Sequence, residues 1–178
     1  MKSCLFALLT VLSGPTWSAE NTAWSLADAS GKVHHFPTDA MANQQVTVLF
    51  FWATWCPYCQ ELMPHIQSAL HQYESPLNLK VLALNVHEDA DPQAYLNSKG
   101  HTFTLMPEAE QVADLYQMHG TPGVLIFDAK GQLVFDLRNV QADHLVRKNA
   151  GHGAKSMRKA PYWAALIRQA LQQLVDGA

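Results

Sequence analysis

The sequence predicts an α/β fold, a central mixed sheet flanked by helices with an added N-terminal hairpin. Three observations carry this reading. Two continuous β-branched and aromatic runs, residues 46–52 and 79–86, have the pattern of strands buried on both faces. Each is followed by a segment with helical spacing, and strand, helix, strand connections lead to parallel pairing. A pair of short strands, residues 123–127 and 132–137, then precedes an amphipathic segment at 161–175. The 178 residues, 48% apolar and 15% charged, make one domain with enough apolar mass for a core. A disordered tail, a collagen-like fibre and a polytopic membrane protein are excluded by the same composition, in which neither Gly nor Pro is enriched.

Taken in chain order, residues 1–19 have the outline of a secretory leader. Lys2 precedes an apolar run from Cys4 to Leu12, followed by Ser13-Gly14-Pro15 and the small residues Ser18 and Ala19. The run is too short to span a bilayer. Cleavage after Ser18 or Ala19 is expected, leaving a periplasmic domain at 20–178 from which Cys4 has been removed. Residues 24–26 and 32–36 then flank a turn at Ala29-Ser30-Gly31 and form the hairpin. After the strand at 46–52, a helix is expected from Pro57 to about Tyr73. Pro57 suits a first helical turn, and Pro64 should kink the helix because it has no N–H for the carbonyl four residues back. Beyond the strand at 79–86 come helices at 92–99 and 108–118, the latter with Val112, Leu115, Tyr116 and Met118 on its apolar face. Asp128-Ala129-Lys130-Gly131 turns the second hairpin, with Gly where a positive φ is wanted. A polar stretch, 139–159, leads into the last helix at 161–175.

Two cysteines remain after the leader, Cys56 and Cys59. A bridge over two intervening residues closes a tiny loop and restricts the unfolded chain very little, so reactivity explains the pair better than stability. Trp55-Cys56-Pro57-Tyr58-Cys59 lies where a buried strand ends and a helix begins. Unpaired N–H groups and the positive end of the helix dipole stabilise a thiolate on Cys56 there. Cys59, one turn in, is within reach of a mixed disulfide on Cys56. Cys56 is therefore expected as the exposed nucleophile and Cys59 as the buried resolving thiol. Trp52 belongs to strand packing, Trp55 lies exposed against substrate, and Tyr58 is partly exposed and shapes access to Cys56.

The run Phe51-Trp52-Ala53-Thr54-Trp55-Cys56-Pro57-Tyr58-Cys59, with Pro64 and with Thr121-Pro122 ahead of the second hairpin, resembles the thioredoxin superfamily over residues 24–175. Within it the chain is most similar to the exported thiol:disulfide oxidoreductases grouped with TlpA and ResA. The resemblance implies a thioredoxin-like fold without cofactor or metal, and protein thiol or disulfide substrates. It also implies a membrane electron donor or acceptor. It makes Pro122 a cis proline beside the cysteine pair, where the backbone of Thr121 and Pro122, with Trp55, Pro57 and Tyr58, binds an extended substrate. Two positions depart from the pattern: Phe50 replaces the buried aspartate of thioredoxin, and Leu62 replaces the glutamate that the TlpA and ResA group often carries one turn beyond the second cysteine. Glu61 points roughly 200° around the helix from Cys59 and is a poor substitute. Deprotonation of Cys59 is thus expected to use water or a substrate group. Pro57-Tyr58 between the cysteines, the pair familiar from glutaredoxins, sets an expected potential of about −230 to −120 mV. Likeness to TlpA and ResA favours the reductive direction over an oxidant or isomerase.

Rival chemistries use the same residues. Structural zinc fits poorly, because the nearest histidines, His65 and His71, fall about 240° apart on one helix. A copper-binding metallochaperone is the more serious alternative, with Cys56 and Cys59 joined by Met118 or His119; core packing for Met118 and a loop position for His119 are the expected roles. Cytochrome c maturation is weakened by Gly123-Val124, where that family usually has a glutamate soon after the cis proline. Charge divides the chain. Residues 20–143 hold five Lys or Arg against fourteen Asp or Glu, whereas 144–178 hold six against Asp176 alone. The basic region complements the acidic body or docks an acidic partner or anionic lipid headgroups. Nucleic acid does not fit a segment without interleaved aromatics.

Overall fold

The computed structural model describes residues 22–177; the expected leader, with Cys4, lies outside the described residues. The hairpin is β1 (Trp24–Ala27) paired antiparallel with β2 (Val33–Phe36), and it leads through a five-residue helix, α1 (Thr38–Ala42), into β3 (Thr47–Trp52). Every residue of β3 is buried, as its unbroken apolar run requires. Helix α2 (Pro57–Leu77) crosses over to β4 (Lys80–Asn85), and α3 (Pro92–Lys99) crosses to β5 (Thr104–Met106). Then come α4 (Glu110–Leu115), β6 (Gly123–Phe127), β7 (Leu133–Asp136) and α5 (His152–Asp176). The main sheet has the order β5-β4-β3-β6-β7, with β3, β4 and β5 parallel and β6 and β7 antiparallel to their neighbours.

Strand alternation divides the core between two faces. Phe50 and Trp52 point to the face covered by α2 and α5, where they meet Leu62, Met63, Ile66, Ala160, Ile167 and Leu171. Leu49 and Phe51 point to the other face, packed with Phe36, Leu84, Met106, Val112 and Tyr116 under the hairpin and α4. Each such side chain, fully removed from water, contributes about 1.5–3 kcal/mol.

Three helices differ in extent from the sequence reading, and two short elements are new. Helix α2 continues past Tyr73 to Leu77 because Tyr73 and Leu77 extend its buried stripe, and Asn78, at φ 47°, ends it. The helix expected at 108–118 is confined to Glu110–Leu115 between two left-handed residues, Glu108 and Gln117. Two short elements, α1 and β5, have no counterpart in the sequence reading, because five and three residues are too few to show a period. The last helix begins at His152 rather than at 161. Pro161 sits inside it, and the turn before Pro161 is held by Ser156 and Ala160, both buried.

Candidate active site

The chain leaves β3 at Trp52, turns through Ala53-Thr54-Trp55, and enters α2 with Cys56 as the residue that caps it. The Cys56 N–H donates to the Ala53 carbonyl (3.2 Å), its sulfur accepts from the Cys59 N–H (3.1 Å), and Pro57 takes the first helical position. Cys56 and Cys59 form a disulfide, with Cα atoms 5.2 Å apart. Both sulfurs therefore stand at the positive end of a 21-residue helix, where a thiolate released on reduction is stabilised.

The loop before Cys56 is tied from three sides. The Trp55 indole N–H donates to the His87 carbonyl (2.8 Å), and the Gln60 amide donates to the Thr54 carbonyl (2.6 Å). The Thr54 N–H and hydroxyl both donate to the Glu88 carboxylate (2.9 and 2.6 Å), which also accepts from Asn85 (2.8 Å). Burial works against the charge on Glu88, but the bonds from Thr54, Asn85 and the Asp89 N–H outweigh it and hold the carboxyl below its ordinary range. Glu88 is the functional neighbour that the sequence reading missed. Its only signal is placement just beyond β4, at the same end of the parallel pair as Cys56.

The Thr121–Pro122 peptide is cis, as the resemblance implied. Gly123 pairs with Phe51, so Thr121 and Pro122 lie level with the chain as it leaves β3 for Cys56, and both are half-buried. The Met118 thioether packs onto Gly123, leaving no room for a side chain at 123. Met118 thereby belongs to the face under the hairpin, whereas Cys56 and Cys59 belong to the α2 and α5 face. His119 is exposed. Among the described residues no three His, Cys, Asp or Glu side chains gather where they could hold a metal ion.

The expected exposure of Cys56 is corrected: it is 2% exposed, scarcely more than Cys59 at 0%. The sulfur turns back to cap α2, and the start of α5 lies against the motif, with the Tyr58 ring 5.9 Å from His152 and 6.0 Å from Trp163. Tyr58 is half-buried by these contacts, while Trp55 is 53% exposed beside the pair. Leu62 is wholly buried and Glu61 exposed, so α2 brings no carboxylate beneath Cys59.

Comparison with known proteins agrees with this geometry. The AhpC/TSA family matches residues 19–135, more than half of the chain. A thioredoxin-like protein of Haemophilus influenzae is 26% identical over 128 residues, which cover 71% of this chain and 73% of that protein. The thiol-disulfide oxidoreductase ResA of Halalkalibacterium halodurans is 23% identical over 146 residues, covering 75% and 82%. The crystal structure of a thiol:disulfide interchange protein of the thioredoxin family from Chlorobium tepidum shares the fold at a TM-score of 0.61 and 16% identity, over 85% of this chain and 99% of the other. With a cysteine pair capping the helix that follows the central strand, and a cis proline just ahead of the strand beside it, the chain belongs to the AhpC/TSA family and is a thioredoxin-fold thiol-disulfide oxidoreductase.

Proposed function

We propose that the protein works in the periplasm as a reductase of protein disulfides, supplied with electrons by a membrane donor. The observation that carries this reading is the Cys56–Cys59 disulfide at the cap of α2, facing the end of the sheet that bears cis Pro122. In the reduced enzyme the Cys56 thiolate attacks a substrate disulfide. A bond forms between Cys56 and one substrate sulfur, and the other substrate sulfur leaves as a thiolate and takes a proton. Cys59, once deprotonated by water or by that departing thiolate, attacks the Cys56 sulfur and releases the second substrate thiol. The pair ends as a disulfide, and two electrons from the donor restore it. Pro57 fixes the first helical turn, Trp55 and Tyr58 border the sulfur, and the main chain at Thr121 and Pro122 receives an extended substrate segment. Export is supported by the leader outline of residues 1–19 and by the kinship with ResA.

The basic region adds an acidic partner to this reading. Arg147, Lys148 and Arg158 are exposed, and Lys155 lies one turn beyond His152, which touches Tyr58 of the motif. A partner bearing carboxylates would dock there with its disulfide near Cys56.

Cys59→Ser is the direct test. It should accumulate protein substrates linked covalently to Cys56, and they should be released by a small thiol. Absence of trapped species together with tight Cu(I) binding by the wild type would transfer the reading to copper carriage. The direction of flux is read from the pair in cells: a largely reduced pair is expected, and a largely oxidised one would identify an oxidant.

A further inference from the structure

The far end of the sheet carries a second polar cluster with no part in disulfide exchange. Thr47 and Lys80 are register partners at the first positions of β3 and β4, on the face turned toward the hairpin. They line a cavity of about 430 Å³ between the hairpin, α1 and the sheet, together with Lys32, His34, Asp39 and Gln45. Thr47 is 1% exposed, and its hydroxyl has no hydrogen-bond partner among the described residues. A buried hydroxyl left in that condition opposes folding unless something else bonds to it.

The second observation is a cation without an anion. Lys80 is half-buried, and no carboxylate of the described residues comes within 4.0 Å of its ammonium. The ammonium lies 3.4 Å from His34 Nδ1. His34 Nε2 bonds to Asp28 (2.7 Å), whose other oxygen accepts from the Ser30 hydroxyl and from the Ser30 and Lys32 N–H groups. With Nε2 carrying the proton for Asp28, His34 turns a lone pair toward the ammonium and leaves its charge unneutralised. Burial and then Lys32 depress the pKa of Lys80, while Asp28 and Asp39 act in the opposite direction.

We propose that this cavity binds a small oxyanion, a carboxylate or phosphate group, held by the Lys80 ammonium and the Thr47 hydroxyl, with Lys32 and Gln45 also lining it. Such a ligand bonds the unpartnered Thr47 hydroxyl and neutralises the Lys80 ammonium at once, which a neutral or cationic one does not. Asp39, which also lines the cavity with one oxygen taken by the His35 N–H (2.8 Å), disfavours ligands of higher negative charge. Thr47 stands five residues before the end of β3, about 17 Å from it, so occupancy is independent of the redox pair.

The test titrates the full chain with inorganic phosphate and, separately, with acetate, at an ionic strength held constant with chloride, following the amide resonances of Thr47 and Lys80. Saturable shifts confined to the cavity lining are expected for at least one of the two, and the arm that saturates identifies the source. Lys80→Met and Thr47→Val should each weaken binding by about tenfold or more, with disulfide exchange through Cys56 at the wild-type rate. Since Thr47→Val removes an unpartnered hydroxyl, its melting temperature without ligand should equal or exceed that of the wild type. Linear shifts in both titrations overturn the proposal. So does binding that both variants retain, a lower melting temperature for Thr47→Val, or loss of exchange alongside binding in both variants.

Discussion

Glu88 gathers the Thr54 N–H and hydroxyl, the Asn85 amide and the N–H groups of Asp89 and Ala90 around one carboxylate, and so fixes the loop that delivers Cys56. Its folded pKa lies below the ordinary value, so its contribution is fully present above the unfolded carboxylate range and is lost as pH falls through the folded value. Glu88→Gln should therefore cost about 1–2 kcal/mol at neutral pH, and the gap should begin to narrow below about pH 4. Urea unfolding at the two pH values checks this; an unchanged gap in acid would show that charge plays no part. The cysteine pair was legible in the sequence because its geometry is local, four residues on one turn. Glu88 was not, because His87-Glu88-Asp89 reads as an ordinary solvated turn until the parallel register of β3 and β4 sets it against Thr54, 34 residues away.

Among the elements, α5 departs furthest from its sequence pattern. Pro161 and the glycines before it look like a helix start preceded by a loop. Tertiary packing overrides that signal: Ser156, Ala160 and Ala164 let α5 lie close on α2, and His152 and Trp163 flank Tyr58. By contrast β3, β4 and β6 were legible almost to the residue, since strands buried on both faces leave unbroken apolar runs. The same packing sets the start of α5 against Tyr58 of the redox motif. Ala160 has no spare volume, and Ala160→Leu should cost about 1–3 kcal/mol through overpacking. By displacing the start of α5 it should also speed alkylation of Cys56 in the reduced protein. Alkylation at the wild-type rate in the variant would show that α5 does not screen the thiol.

At the scale of the molecule, an acidic body carries one basic region, and that region adjoins the redox pair through His152 and Tyr58. Charge at an exposed surface acts over roughly the Debye length, about 10 Å at 0.1 M salt, so its effect on a partner must fade as salt rises. Replacing Arg147, Lys148, Lys155, Arg158 and Lys159 by glutamine should leave reduction of a small uncharged disulfide unchanged. It should slow reduction of an acidic protein substrate and flatten the salt dependence of that rate. Equal loss for both substrates would point to damage at the site instead of lost recruitment. The hairpin has a further consequence at the border of the sheet. A sheet edge is a template on which extended chains accumulate. Here one edge, β5, is only three residues long and has its Leu105 carbonyl occupied by the Ala29 N–H from the hairpin turn. The other edge, β7, ends at Asp136, bound by Arg138. The β5 border is thereby short and partly occupied, which makes it a poor template for strand addition from outside.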